Sequence, residues 1–269
     1  AGRFVFNAGI RFDDVSTSDG ITTQDDKATT LSFGALYKTD IGLNPYVSYA
    51  ESFLPVVGID TVTNQPLNPQ EGKQWEFGLK YQPAGSRTYI TAAYFDIEQS
   101  NLPNPADLPG ANTQQEGIAS IKGFETELHT QMGDFTLDAA FSYTDAEDPD
   151  GTPFPSLPKR QASAWLMWVP SAEPYEGLRI GAGARYACAN QSNGTSFIAA
   201  NGFAATPLEV VTSGYTVFDA LIGYDFGDFD LSVNVRNLLG KDYYSTCLAR
   251  GDCFAGETRT LVARLTYNF

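Results

Sequence analysis

The sequence predicts an all-β fold, a transmembrane antiparallel β-barrel, and two patterns carry the prediction. The first is an alternation of apolar and polar residues with a period of two, which recurs about twelve times. The second is an alternation of long and short connections between these segments. No segment of comparable length has the period of about 3.6 residues that a helix requires.

The alternation of residues is clearest at 229–236, where Phe229, Leu231 and Val233 fall on one face and polar residues fall on the other. Since successive side chains of a strand point to opposite faces, each such segment is predicted to be a strand with one apolar face. The predicted strands, in chain order, are 3–13, 31–38, 45–53, 73–82, 86–98, 118–130, 134–144, 160–169, 178–188, 215–225, 229–237 and 258–269.

The connections between the predicted strands fall into two classes. Those after the odd-numbered strands are long, and those after the even-numbered strands are short, as at 83–85 and 227–228. An antiparallel meander with long loops at one end and tight turns at the other has this rhythm. Outer-membrane barrels have it, with the turns in the periplasm and the loops outside. A soluble Greek-key sandwich has no reason to separate its loops in this way.

Aromatic residues near strand ends support a membrane location for the apolar face, because such rings sit at the level of the lipid headgroups. The opposite face is polar along its length, which fits a wet or plugged lumen. The aromatic residues assigned to the lipid face are Tyr37, Trp75, Tyr81, Tyr89, Trp168, Tyr186, Phe218, Phe226, Phe229 and Tyr267.

Composition excludes several classes of protein. The net charge of −15 argues against a nucleic-acid partner, whose binding surface must be basic. No apolar run approaches the roughly 18–20 residues of a membrane-spanning helix. Three cysteines do not make a disulfide scaffold in a chain of this length. The spacing of Cys247 and Cys253 suits a bridge within a short loop, which leaves Cys188 as a free thiol.

The sequence contains no catalytic constellation. By parity, the single histidine, His129, shares the polar face with Glu125 and Glu127, and we interpret it as part of a polar strand facing the lumen. The acidic run 145–151 lacks the Glu that closes an EF-hand, so we interpret it as a solvated loop. We predict no catalytic residue, no metal site and no cofactor.

Several phrases, together with the last strand, resemble TonB-dependent siderophore receptors. Apolar residues at every second position from Leu261 lead to a terminal Phe269, which resembles the signal for outer-membrane assembly. The phrases occur in the order of that family and span nearly the whole chain. They are 45–53, 67–78, Lys122-Gly123-Phe124-Glu125, Pro158-Lys159-Arg160, 237–244 and 254–260.

The resemblance implies that residues 1–269 are the C-terminal part of a TonB-dependent receptor β-barrel, about 12 strands of an expected 22. The plug domain and the N-terminal strands would then be absent from the chain. A self-closing twelve-stranded barrel is the alternative, because bacterial barrels use even strand numbers. The implied partners are a ferric siderophore, TonB through the missing plug, the remaining N-terminal half of the receptor, and the lipid and lipopolysaccharide of the bacterial outer membrane.

The resemblance also indicates the cargo. Cys247 and Cys253 with Phe254 resemble the last extracellular loop of ferrichrome- and ferrioxamine-type receptors, where a disulfide holds a tight loop, and this implies a hydroxamate siderophore. Aromatic rings can stack on an amphipathic chelate. The predicted ligand contacts are Tyr243, Tyr244, Phe254, Phe197, Phe203 and Phe154. The alternatives are a TonB-dependent importer of haem, cobalamin or oligosaccharide, and a self-contained barrel enzyme or adhesin.

Overall fold

The computed structural model describes residues 2–20, 23–60, 63–105, 113–115, 117–197 and 205–269, and its regular structure there is entirely strand. None of these residues belongs to a helix that is long and apolar enough to span a bilayer. The strands are β1 (Phe4–Ser18), β2 (Thr23–Tyr37), β3 (Leu43–Leu54), β4 (Ile59–Asp60), β5 (Gln65–Pro66), β6 (Gln70–Tyr81), β7 (Thr88–Ser100), β8 (Pro103–Pro105), β9 (Thr113–Gln115), β10 (Ile118–Met132), β11 (Phe135–Glu147), β12 (Arg160–Trp168), β13 (Leu178–Ala187), β14 (Asn190–Phe197), β15 (Ala205–Thr212), β16 (Tyr215–Asp225), β17 (Phe229–Arg236), β18 (Tyr244–Cys247), β19 (Cys253–Ala255) and β20 (Thr260–Tyr267).

Twelve of these strands form one antiparallel sheet in the order β1-β2-β3-β6-β7-β10-β11-β12-β13-β16-β17-β20. Each strand pairs with the next long strand along the chain, so the sheet is a meander, as the alternation of connections predicted. Within the described part of the chain, β1 and β20 are the edges, and each pairs on one side only. Ten of the twelve predicted strands match the observed bounds to within a few residues at each end.

The first two strands are longer than predicted. The ladder of β1 and β2 continues past Val15, which lies opposite Asp26, to Ser18 opposite Thr23. The extension is mostly polar, with Lys27 Nζ 2.8 Å from Asp14 Oδ2, so it has no apolar alternation to reveal it. The prediction of a long loop after the first strand is therefore wrong.

Four short antiparallel ribbons occupy the long connections and were not predicted. They are β4–β5, β8–β9, β14–β15 and β18–β19. Each ribbon forms a two-stranded sheet separate from the main sheet, so neither of its faces has to be apolar. The period-two signal depends on a single apolar face and is therefore missing here.

The two faces of the sheet differ sharply in chemistry. The apolar face carries Phe33, Tyr49 and Trp75, which occupy one row across β2, β3 and β6, and the rings of Tyr49 and Trp75 are 4.9 Å apart. The polar face carries His129 and Asp138, which lie opposite each other on β10 and β11. Alternation along each strand therefore sorts the side chains as predicted.

Tyr89 is an exception to the predicted aromatic set. It lies opposite His129 in the ladder of β7 and β10, and therefore belongs to the polar face. Its neighbour Ile90 takes the apolar position, opposite Tyr81. The assignment of Tyr89 to the lipid face is wrong, because strand parity can be shifted by one residue when adjacent residues are both apolar.

No second layer of described residues packs on the sheet. The buried apolar side chains on the strands of the sheet are small, such as Ala93, Ala187 and Val217, whereas large ones are exposed on the apolar face. Phe6 is 73% exposed and Leu265 is 66% exposed. A soluble domain would bury such residues in a core, so this face requires an apolar environment from outside the described chain.

Candidate functional site

The long connections lie together at one end of the sheet, which we call the loop end. Antiparallel pairing places every second connection at the same end, and all four ribbons lie there. The opposite end, the turn end, has tight turns such as Gly133-Asp134 between β10 and β11, where Gly133 has a φ of 59°. A ligand arriving at the loop end therefore meets the ribbons first.

The last long connection contains a disulfide. Cys247 and Cys253 are bonded and lie opposite each other on β18 and β19. This confirms the predicted bridge. We call residues 244–255 the disulfide hairpin. Cys188 is a half-buried free thiol, as predicted, and its Sγ accepts the Arg160 N–H at 3.2 Å.

The disulfide hairpin rests on the ribbon β14–β15. The Cys247 N–H donates to Thr212 Oγ1 at 2.7 Å, and the Ala249 N–H donates to Ser192 Oγ at 3.1 Å. Thr212 and Ser192 are buried, so these bonds are shielded from water. The contact therefore joins two connections that are far apart in sequence.

A third connection meets these two at Thr246. The hydroxyl oxygen of Thr246 is 2.9 Å from Ser156 Oγ and 3.0 Å from Asn190 Oδ1. Asn190 also donates from Nδ2 to the Ser245 carbonyl at 2.9 Å. We call Ser156, Asn190 and Thr246 the clasp. Sequence reasoning missed it, because isolated Ser, Thr and Asn residues in loops are too common to be a signal.

Three of the predicted ligand contacts belong to the last connection. The ring of Tyr243 packs against that of Tyr215 in a tilted arrangement, with centroids 4.2 Å apart, and it covers Gly256 so closely that a Cβ there would lie 2.2 Å from it. Tyr244 is 54% exposed and Phe254 is 48% exposed. Tyr243 is thus committed to packing, whereas the rings of Tyr244 and Phe254 are accessible.

The other three predicted contacts are separated. Phe154 is half-buried beside the clasp, two positions before Ser156, and its N–H donates to the Ala146 carbonyl at 3.0 Å. Phe197 is the last residue of β14. Phe203 lies outside the described residues. Contact with a ligand stays a prediction for all six aromatic residues.

Asn237 organises the start of the last connection, and its role was not foreseen. The residue is 1% exposed and has a φ of 49°. Its Nδ2 donates to the carbonyls of Lys241 at 2.8 Å and Glu257 at 2.9 Å, and its Oδ1 accepts the Lys241 N–H at 2.8 Å. An Asn that is soon followed by a Gly, as Asn237 is by Gly240, is a usable sequence signal for a turn residue in the left-handed region.

Ion pairs on the polar face connect the last connection to the sheet. Arg185 binds Asp219 in a bidentate manner, with Nε 2.7 Å from Oδ2 and Nη2 3.1 Å from Oδ1. Glu257 lies 3.6 Å from Arg185 and 3.0 Å from Arg236. These four charges compensate one another across β13, β16 and β17.

A hollow of about 460 Å³ lies on the polar face, between β10 and the start of β16. Its lining includes Glu125, Glu127, Arg185 and Tyr215. Tyr215 also packs against Tyr243, so one lining residue of the hollow contacts the base of the last connection. The polar wall is therefore accessible from the loop end.

His129 lies on the polar face with Glu125 and Glu127, as its parity predicted. Its Nδ1 is 2.6 Å from Asp138 Oδ1, and both side chains are half-exposed. Among the described residues, no three His, Cys, Asp or Glu side chains are grouped so that they could hold a metal ion. The geometry is that of an ordinary exposed hydrogen bond between two strands.

The acidic connection after β11 contains two carboxyl groups whose pKa values are shifted in opposite directions. Asp148 Oδ1 and Asp150 Oδ1 both accept the Thr152 N–H, at 2.9 and 2.8 Å. Partial burial and the hydrogen bond to Asp150 raise the pKa of Asp148, whereas the bond from Asp148 lowers the pKa of Asp150. The two groups therefore share one proton more readily than either would take one alone.

Comparison with known proteins places this arrangement in a family. The chain is 32% identical, over 99% of its length, to the ferrioxamine B receptor of Salmonella typhimurium strain SL1344, and covers 39% of that protein. It is 31% identical, over 91% of its length, to the ferrichrome outer membrane transporter/phage receptor of Escherichia coli K12, and covers 33% of it. The chain thus spans well under half the length of these relatives.

Solved structures show the same fold. The ferripyoverdine receptor of the Pseudomonas aeruginosa outer membrane matches 99% of this chain with a TM-score of 0.87 at 21% identity, and 36% of that chain is covered. A family model described as TonB dependent receptor-like, beta-barrel, matches residues 1–238. The predicted β-barrel fold class is confirmed, and the chain belongs to the β-barrel family of TonB-dependent receptors.

Proposed function

We propose that this chain is the C-terminal, twelve-stranded part of the barrel of a bacterial outer-membrane receptor. The receptor imports a ferric siderophore, of the hydroxamate type, and depends on TonB. Two facts support the partial barrel: the sheet has two edge strands that are each paired on one side, and the chain spans well under half of its relatives. The strands and the plug that would complete the receptor lie outside this chain.

The observation that carries the proposal is the exposed apolar face of the sheet. It bears large side chains such as Phe6 and Leu265 with no packed layer over them among the described residues. Lipid acyl chains satisfy such a surface, and a closed barrel satisfies the backbone hydrogen bonds in lipid. A lipid bilayer is thus the environment that fits this face, and the outer membrane is where bacterial barrels occur.

The capture site in this proposal is the loop end. Exposed rings such as Phe254 and Tyr244 can stack on an organic chelate, and the joined connections hold them in place. The chain performs no covalent chemistry in this proposal, and iron is cargo rather than a resident cofactor. Movement of the cargo would depend on TonB acting through the missing plug.

Uptake by the whole receptor tests the proposal. The complete receptor is expressed in a bacterium that lacks its own hydroxamate receptors, with and without a functional TonB. We expect saturable uptake of radioiron as ferrioxamine B or ferrichrome only when TonB is present. Uptake that persists without TonB would contradict the mechanism, and uptake of haem or cobalamin instead would contradict the cargo.

A further inference from the structure

The clasp is centred on the Thr246 hydroxyl. Because Asn190 Oδ1 can only accept, Thr246 Oγ1 donates to it at 3.0 Å, and the same hydroxyl is hydrogen-bonded to Ser156 Oγ at 2.9 Å. Asn190 then donates from Nδ2 to the Ser245 carbonyl. A continuous chain of hydrogen bonds therefore runs from the connection at Ser156, through the disulfide hairpin, to the start of β14 and back to the hairpin.

Ser156 adopts a conformation that suits this chain of bonds. Its φ is 66°, in the left-handed region, where residues other than Gly, Asn and Asp are uncommon. In this conformation the Ser156 N–H donates to the Gln191 carbonyl at 2.9 Å while the hydroxyl reaches Thr246. Such a conformation persists only where surrounding contacts hold it.

The disulfide hairpin is therefore held in two independent ways. One is the covalent bond between Cys247 and Cys253, which acts within the hairpin. The other is the set of hydrogen bonds from the hairpin to its neighbours, in which Asn190 is 5% exposed. Opening these bonds would leave buried polar groups without partners, which opposes displacement of the hairpin. Of these two, only the second set reaches from the hairpin to the neighbouring connections.

We propose that Ser156, Asn190 and Thr246 are positioning residues. They hold the disulfide hairpin, the ribbon β14–β15 and the connection 148–159 together as one rigid body. The clasp, rather than the disulfide, therefore sets the position of the ligand-contacting rings. The clasp reduces the entropy lost when a ligand binds, because the mouth is already ordered. The part of this inference that concerns ligand rests on the proposed function, whereas the rigidity of the hairpin does not.

Hydrogen exchange of the complete receptor without ligand tests the rigidity. The variants are Thr246→Val, which removes the hydroxyl but keeps the shape, Thr246→Ser, which keeps the hydroxyl, and the pair Cys247→Ser with Cys253→Ser. Thr39→Val is a matched control, because its hydroxyl donates within a turn at the opposite end of the sheet, to the Leu43 carbonyl.

We expect Thr246→Val to speed exchange of the hairpin amides about fivefold to a hundredfold, the range for loss of the two hydrogen bonds of this hydroxyl. Thr246→Ser and Thr39→Val are expected to exchange like the wild type. Loss of the disulfide alone should speed exchange less than Thr246→Val does. The proposal is overturned if Thr246→Val has no effect, or if loss of the disulfide has the larger effect.

A ligand arm uses ferric ferrioxamine B as the probe. We expect Thr246→Val to weaken its binding about threefold to tenfold, mainly through faster dissociation, and Thr246→Ser to restore the wild-type affinity. Unchanged affinity in a variant with faster hairpin exchange would overturn the link between clasp and ligand. If the wild-type receptor binds no siderophore, the proposed function fails while the exchange results still decide the clasp.

Discussion

The side-chain amide of Asn237 donates to the main-chain carbonyl of Glu257 at 2.9 Å, so one residue joins the start of the last long connection to its end. The same side chain exchanges two hydrogen bonds with the main chain of Lys241, and its own N–H donates to Asp219 Oδ1 at 2.9 Å. The disulfide hairpin therefore emerges from a base that is fixed to β16.

Replacement of Asn237 should lower the stability of the receptor. Asn237→Ala leaves buried groups of Lys241 and Glu257 without partners, and we expect a loss of about 3 kcal/mol in the free energy of unfolding. Asn237→Gly loses the same bonds but tolerates the φ of 49°, so it should be more stable than the Ala variant by about 1 kcal/mol. Thermal unfolding of the complete receptor in detergent measures the stability of both variants. An Asn237→Ala variant with the melting temperature of the wild type would refute the structural role of Asn237.

Gly183 should be intolerant of any side chain. Trp165 lies over it on the polar face, and a Cβ at position 183 would be 2.4 Å from Trp165 Cε3 and 2.9 Å from the Ala164 carbonyl oxygen. We expect Gly183→Ala to cost about 1–3 kcal/mol of unfolding free energy and to change the fluorescence of Trp165. In a Trp165→Leu background the cost should shrink, and an equal cost in both backgrounds would show that the ring is not the obstacle.

Phe254 and Tyr243 should respond differently to truncation. Phe254 is exposed, so Phe254→Ala should leave the melting temperature unchanged and weaken the binding of ferric ferrioxamine B about tenfold. Tyr243 packs on Tyr215, so Tyr243→Ala should lower both the melting temperature and the affinity. Calorimetry and a binding titration separate the two effects. Full affinity in Phe254→Ala would remove Phe254 from the ligand site.

The contributions of Asp148 and Asp150 to stability should depend on pH in opposite ways. The raised pKa of Asp148 means that its contribution to stability is fully present at low pH and is lost as pH rises through that pKa. The lowered pKa of Asp150 means that its contribution is present above the usual Asp range and is lost as pH falls. Both groups lie in a connection outside the sheet.

Asp148→Asn should therefore raise the melting temperature at neutral pH, because it replaces a carboxylate that is disfavoured there with a neutral acceptor for the Thr152 N–H. Asp150→Asn should lower the melting temperature at neutral pH and have little effect in acid. Melting curves of the complete receptor at pH 4 and pH 7 test both, and shifts of the same sign for the two variants would contradict the assignment.

Much of the sheet could be predicted from local pattern. The alternation at 229–236 defines both a strand and its faces, because a strand has a period of two and an exposed lipid face must be apolar. The one error of parity, at Tyr89, arose where Tyr89 and Ile90 are adjacent and both suit a lipid face. In that case only the pairing with His129 decides which face each residue takes.

The strand order, the loop end and the disulfide of this protein follow from the amino-acid sequence alone, since each depends on residues close together in the chain. How the long connections meet is visible only in the folded chain. Ser156, Asn190 and Thr246 are far apart in sequence, and each is an ordinary loop residue until folding brings it within 3.0 Å of its partner. Hydrogen bonds of this kind depend on distance in space and on exclusion of water, and the alternation of residues in the sequence reveals neither.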